Sequence, residues 1–206
     1  MSLIKDLQDK PRTWTKGPHF ISTDPSLIPI ATLNTWFASE EVYWALPMPE
    51  AAMRHTLHYS ICFGLYRQSQ SAQSIETSEH DTPPAPDPNT VEFVGFARCV
   101  TDTTTFVYLT DVFVLPSRQG LGLGSWLVSC VQEIIEDMPY LRRSMLFTSD
   151  WKRSVPFYEK VMGMHVLRNT PPVSGEDGEG AAVMERKSWG FPGFEERSVG
   201  ISELVD

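Results

Sequence analysis

Basic residues are scarce in this chain. Its 206 residues include 17 Lys and Arg against 26 Asp and Glu, a formal net charge of -9. Neutralising a phosphate backbone needs clustered cations, so the charge argues against a nucleic-acid surface, whereas a cationic substrate such as an amine is compatible. Cysteine is scarce too. Cys62, Cys99 and Cys130 are odd in number and each lies inside an apolar run. They read as buried thiols of a reducing compartment and not as a disulfide framework. No apolar run approaches the length of a membrane span. Residues Met1 to Lys10 alternate charge with leucine and lack the apolar core of a signal peptide. Internal repeats are absent. The chain reads as a cytoplasmic protein, with the nucleus open, and its 41% hydrophobic content suits a single globular domain.

What is present is concentrated between Phe106 and Met138. Phe106 to Leu115 is rich in β-branched and aromatic residues and reads as a strand. Pro116 stops it, because proline cannot donate to a ladder. Arg118-Gln119-Gly120-Leu121-Gly122-Leu123-Gly124-Ser125 follows, and then Leu123, Leu127, Val131, Ile134 and Met138 recur at helical spacing. A strand, a glycine-rich turn and a helix expose backbone N–H groups at a helix N-terminus, which cradles phosphate. The spacing separates the known cradles. Gly124-Ser125-Trp126 lacks the lysine of a P-loop. Counted from Gly120, the third glycine of a dinucleotide fingerprint falls on Ser125, and Glu133 and Glu136 sit inside the predicted helix where no ribose-binding acid belongs.

Around this stretch the elements follow in order. Met1 to Lys16 is expected to be a loose lead-in, and Pro18 to Ser22 a short strand. Asp24-Pro25 signals a helix running through Phe37, in which Pro29 is awkward. Residues 38–49 form a connection unusual in holding Glu40, Glu41, Tyr43, Trp44 and Leu46. Such aromatics mean either a lid over a pocket or a loop folded onto the core. A helix over Glu50 to Tyr59 carries His55 and His58 at a spacing that could share a metal, but with no third ligand nearby it reads as a solvated face. Further strands are predicted at Ser60 to Arg67, Val91 to Val100, Ser144 to Thr148, Met164 to Leu167 and Ala182 to Glu185, with a helix from Val155 to Met162 ended by Gly163. The proline-rich stretch between the first two of these strands reads as a disordered hairpin insertion. Thr170 to Gly180 reads as a loop, and Trp189, Phe191 and Phe194 as possible anchors of an irregular tail.

Gln119-x-x-Gly122-x-Gly124, placed after Asp111-Val112-Phe113-Val114-Leu115-Pro116, resembles the acyl-CoA pyrophosphate motif of the GNAT acetyltransferase superfamily. Tyr43-Trp44, Ser60 to Tyr66, Val94 to Arg98 and Thr101-Asp102 resemble a subfamily of small acetyltransferases within it. The resemblance implies an α/β (α+β) fold, the GNAT fold, with a mixed, mostly antiparallel sheet of about seven strands flanked by about four helices. It divides the chain into a lead-in (1–17), one domain (18–187) with the insertion (68–90), and a tail (188–206). It also implies acetyl-CoA as cofactor. The backbone of Val112, Phe113 and Val114 would run beside the pantetheine arm. Arg118, Gln119, Gly120, Leu121, Gly122, Leu123, Gly124 and Ser125 would surround the pyrophosphate, and Asp150 would stand beside the coenzyme. Tyr158 would protonate the departing thiolate; read without the resemblance, it is a helix aromatic packed on the sheet. Trp151 stands seven residues before Tyr158, where many members carry asparagine, and three residues are extra between Asp150 and that tyrosine relative to the closer subfamily.

The activity implied is transfer of the acetyl group to a primary amine, of a small molecule, by direct attack in a ternary complex. A non-catalytic acyl-CoA sensor and a protein or peptide N-acetyltransferase are the alternatives. Trp36, Tyr43, Trp44, Tyr108 and Thr110 are the expected acceptor-site residues, with Glu40 or Glu41 facing the amine. Asp111 is the candidate base, beside Asp102. Strand alternation places Tyr108, Thr110 and Val112 on one face and Asp111 on the other, unless a bulge re-aims it. The expected state is a monomer or homodimer with neither a membrane nor a nucleic acid as partner.

Overall fold

Pro29, awkward in one continuous helix, divides its segment in two. Asp24 Oδ1 accepts the Ser26 N–H at 2.8 Å and starts a single 3-10 turn, Pro25–Leu27. Pro29 then caps helix α2, Ile30–Phe37, where its missing N–H costs nothing. The computed structural model describes residues 3–68, 91–167 and 182–188. Within them, α1 (Leu3–Asp9), β1 (Thr13–Lys16) and β2 (His19–Ser22) precede α2. After it come α3 (Glu50–His58), β3 (Ile61–Gln68), β4 (Val91–Thr101), β5 (Phe106–Val114) and α4 (Leu123–Glu136). The chain continues through β6 (Arg143–Thr148), α5 (Ser154–Met162), β7 (His165–Val166) and β8 (Ala182–Lys187).

One sheet takes all eight strands in the order β1-β2-β3-β4-β5-β6-β8-β7. Every neighbouring pair is antiparallel except β5 and β6, which α4 connects as a crossover must. Among the described residues five helices accompany the sheet where about four are expected, and the excess lies at the N-terminus. The segment expected to be a loose lead-in holds α1 and β1. Leu7 is buried, the Trp14 indole donates to Glu133 Oε2 at 2.9 Å, and Arg12 Nη2 to Asp137 Oδ2 at 2.6 Å, so this segment is fastened to α4. The insertion from residue 69, the loop at 170–180 and the aromatic residues of the tail lie outside the described residues.

Two cores flank the sheet. On one face α1, α4 and α5 pack Leu127, Val131, Ile134 and Met162 against Phe63, Leu65, Val107 and Leu109. On the other, α2 and α3 bring Leu33, Trp36, Met53 and Leu57 onto Phe20, Tyr66, Phe96 and Phe113. Trp36 is therefore a core residue, stacked on Phe93 at 4.4 Å and 7°. His55 and His58 both lie against the ring of Tyr59, at 4.6 and 4.7 Å.

Phe63 has no exposed surface and also stacks against Trp14 of β1. Truncation to alanine is expected to cost about 3–5 kcal/mol. Urea unfolding of Phe63→Ala against the parent measures it, and a loss below about 1 kcal/mol would mean that the centre of this core is misassigned.

Candidate functional site

Between β5 and α4 the backbone turns back on itself in a way that uses up its carbonyls. Arg118 N–H donates to Leu115 O at 2.8 Å, Gln119 N–H to Pro116 O at 3.2 Å, and the Gln119 side chain to Val114 O at 2.9 Å. Gly120 and Gly122 then adopt φ of 78° and 71°. A Cβ at either would meet nothing within 4 Å, so conformation and not crowding demands glycine there. The first amide after the turn with a partner is Trp126, which donates to Gly122 O at 3.1 Å. The six N–H groups from Gly120 to Ser125 have no partner among the described residues. No acidic side chain occupies the first turn of α4. Six open donors at the positive end of a 14-residue helix favour an anion with several oxygens. Arg118 is turned away from this cradle, onto Glu92 at 2.8 Å.

An open strand edge leads to the cradle. β5 and β6 share only three rungs, from Phe106–Arg143 to Tyr108–Met145. Beyond Tyr108 the edge of β5 facing β6 has no strand partner among the described residues, although β5 runs on through Val112 and Phe113 to Val114. An extended ligand can add there as a strand would.

Within that stretch the β4–β5 ladder slips. Phe96 pairs with Phe113 but Arg98 with Thr110, so Asp111 and Val112 together face Ala97. Asp111 has φ of 54°, in the left-handed region. The bulge changes which way every later residue points. Val107 and Leu109 belong to the α4-side core, and beyond the bulge it is Val112 and Val114 that do, while Phe113 joins the opposite core. The expectation that Val112 shares the face of Tyr108 and Thr110 is thus corrected. Asp111 instead joins that face. Its Oδ2 accepts from Arg98 Nε at 2.7 Å, Arg98 Nη1 donates to Ser60 Oγ at 3.2 Å, and Thr110 Oγ1 lies 3.3 Å from Asp111 Oδ1. Asp111 is 8% exposed. Asp102, the other candidate base, holds a turn: it accepts the Thr105 hydroxyl and the N–H groups of Thr104, Thr105 and Phe106, which keep its carboxyl well below the usual range.

The aromatic connection between α2 and α3 reaches this face. Asn34 pins its far end with two bonds to Met48, at 2.8 and 3.1 Å. Tyr43 and Trp44 meet edge to face at 5.1 Å and are 65% and 42% exposed. The Tyr43 hydroxyl hydrogen-bonds Ser149 Oγ, just past the end of β6. Phe147 contacts Tyr108 at 5.3 Å and is 55% exposed. Sequence reasoning missed Phe147, Ser149, Ser60 and Arg98 as site residues. Alternation along β6 could have placed Phe147 on an open face, but only the register reveals Arg98. Glu41 is held below the usual carboxylate range by its own N–H and the Ser39 hydroxyl.

Asp150 shapes the entry to α5. Its Oδ1 accepts the Arg153 N–H at 2.8 Å and its carbonyl the Ser154 N–H at 3.0 Å. The extra residues 151–153 form a turn ahead of the helix. Tyr158 is buried in the core that α4 and α5 share, and its hydroxyl has no partner among the described residues. Burial pushes that hydroxyl's pKa above its ordinary value.

Residues 50–164 match the model of a family described as acetyltransferase (GNAT). A protein of Gibberella zeae, provisionally named an acetyltransferase, is 38% identical over 168 residues, which cover 81% of this chain and 90% of that one. The crystal structure of a GNAT-family acetyltransferase from Streptococcus pneumoniae superposes with a TM-score of 0.56 at 14% identity, covering 82% of this chain and 99% of its own. An Arabidopsis thaliana protein in complex with the bisubstrate analogue CoA-Ac-MVNAL superposes with a TM-score of 0.51 at 12% identity, covering 83% and 99%.

Gly122 and Gly124 separate the demands on this turn. At Gly122 a side chain is forced into the left-handed region, so Gly122→Ala is expected to lose about 1–2 kcal/mol. At Gly124 a Cβ would meet only Val114 Cγ2 at 4.0 Å. Gly124→Ala is expected to be neutral or up to about 1 kcal/mol more stable. Thermal unfolding of the two variants side by side tests the pair; equal losses would contradict the assigned backbone.

Proposed function

The chain belongs to the acetyltransferase (GNAT) family, and from that premise we propose that it moves the acetyl group of acetyl-CoA to the primary amine of a small molecule. The observation that carries the reading is the meeting of six unpartnered amides with the unpaired edge of β5. The cradle of Gly120 to Ser125 takes the pyrophosphate, and Val112 to Val114 take the pantetheine arm as an added strand. The thioester then lies where β5 leaves β6, beside the bulge.

A lysine-like amine has a pKa of about 10.4, about three units above neutrality, so its free base costs roughly 4 kcal/mol at about 1.36 per unit. Asp111 takes the amine's proton through Oδ1, the oxygen that Arg98 leaves open. The nitrogen lone pair attacks the thioester carbonyl, a C–N bond forms as the C–S bond breaks, the thiolate takes a proton from Tyr158, and the second proton that the nitrogen sheds returns through water to restore the phenol. Tyr158 stays protonated because burial raises its pKa. Tyr43 and Trp44 wall the acceptor and Tyr108 and Thr110 form the floor, whereas Trp36 stays in the core against Phe93 and Phe113. The hydrogen bond from Tyr43 to Ser149 closes this wall, which supports a compact acceptor over a long peptide. No helix among the described residues is long and apolar enough to cross a membrane. We assign the protein to the cytoplasm or nucleus, as a monomer or homodimer.

CoA release across arylalkylamines, polyamines, amino acids, aminoglycosides and short peptides tests the reading. Turnover of one small-molecule class is expected, and turnover of peptides alone would overturn it. Tyr158→Phe is expected to lower kcat about a hundredfold with the KM for acetyl-CoA little changed. Because the raised pKa keeps the phenol protonated as pH climbs, the parent's kcat should show no alkaline fall below about pH 10. Gly124→Ala should raise the KM for acetyl-CoA without loss of stability; an unchanged KM would remove the cradle assignment.

A further inference from the structure

The acceptor floor carries a cation where an enzyme for simple amines should not want one. Arg98 pairs with Thr110 across β4 and β5, so its side chain shares the face of Thr110 and Tyr108. Its side chain is 18% exposed and is bonded to Ser60, just past the end of α3. Its Nε is spent on Asp111 and one Nη1 hydrogen on Ser60, whereas Nη2 has no partner among the described residues. Asp111 in turn keeps Oδ1 for the Thr110 hydroxyl alone. A touching pair thus presents a carboxylate oxygen held only by one long hydroxyl bond, with a lone pair left over, and one open guanidinium edge.

This arrangement discriminates among amines. For a plain ammonium ion, the attraction of Asp111 is cancelled by Arg98 at contact distance. Polycations fare worse, since the next carboxylate along the floor, Glu185, is itself paired with Arg143 at 3.0 Å. A zwitterion gains from both members of the pair. The two partners touch at 2.7 Å, so the charges of the ligand must also be adjacent, and a single carbon separates them only in an α-amino acid. Tyr108 and Phe147 then extend the floor with aromatic rings, and Tyr43, which meets Trp44 edge to face, is bonded to Ser149 two residues past Phe147. The charged groups next along the floor, Arg143 and Glu185, are paired with each other.

We propose that the acceptor is a free α-amino acid with an apolar or aromatic side chain. Its amine faces Asp111 Oδ1, its carboxylate takes the open edge of Arg98, and its side chain lies over Tyr108 and Phe147. The transfer balances as above: the amine loses its protons to Asp111 and water, the C–N bond replaces the C–S bond, and CoA leaves as the thiol. The product is an N-acetyl amino acid, no longer cationic at nitrogen, so the hold of Asp111 is lost and release follows. This inference rests on the acetyltransferase reading of the same site.

Matched pairs decide it. CoA release is measured with phenylalanine against phenethylamine and phenylalaninamide, tryptophan against tryptamine, and leucine against isopentylamine, with a short peptide as control. The free acid is expected to exceed both analogues in kcat/KM by at least about tenfold. In Arg98→Gln that ratio should collapse toward one, and in Arg98→Lys fall part of the way, because an ammonium cannot reproduce the fork. A melting-temperature rise with acetyl-CoA identifies the variants that remain folded, and the amide needs no variant at all. If decarboxylated amines serve as well as the acids, the assignment of Arg98 is wrong and the acetyltransferase reading stands. If only the peptide is used, the amino-acid assignment and the small-molecule acceptor both fall, while acetyl transfer itself stands.

Discussion

One extra residue in β5 governs the layout of this protein. Without the bulge at Asp111, Phe113 would point at α4 and the core beneath α2 would lose the ring that Trp36 meets at 5.1 Å. Val114 would likewise leave the core beneath α4. A side chain in the left-handed region costs about 1–2 kcal/mol. The charge-assisted bond from Arg98 to the displaced carboxylate offsets that cost, and a bulge also increases local twist. The same residue therefore repairs the alternation for both cores and brings a carboxylate to the face where chemistry is proposed. Stability and function draw on a single slip in register.

The parallel pair explains where the site lies. Parallel strands need a crossover, and α4 supplies it, so the N-terminus of that helix must sit at the carboxyl end of β5. Crevices outside the carboxyl ends of parallel strands are the common place for ligands in such sheets. Here the crevice is widened because β6 keeps company with β5 for three rungs and with β8 for six. A strand bound more extensively on its far side diverges from its parallel neighbour and leaves an edge to be filled.

How far the residues themselves disclosed this depends on the range of the interactions. The strand, turn and helix from Phe106 to Glu136 were legible because local period and glycine placement define them. Pro29 announced a break, though not that the break would yield a 3-10 turn. By contrast α1 and β1 are short and are held by Arg12 and Trp14 reaching 125 and 119 residues ahead, which no local pattern encodes. Trp36 looks the same in sequence as Tyr43 and Trp44, yet it sits in the core and they do not; only the depth of packing separates them. The pairing of Arg98 with Asp111 depends on which residue of β4 faces which of β5. Register belongs to the pair of strands and not to either one.

The carbonyl accounting around the cradle has an electrostatic consequence. Val114, Leu115, Pro116 and Gly122 all have their oxygens occupied, while the amides that follow stay open. The surface presented is positive yet built without a charged side chain. Its field comes from dipoles acting over bond lengths, well inside the Debye length of about 8 Å at physiological salt. A protein of net charge -9 can therefore hold a polyanion without any patch of lysine or arginine to attract one. Ions in solution weaken such a grip far less than they weaken a grip made of long-range charge.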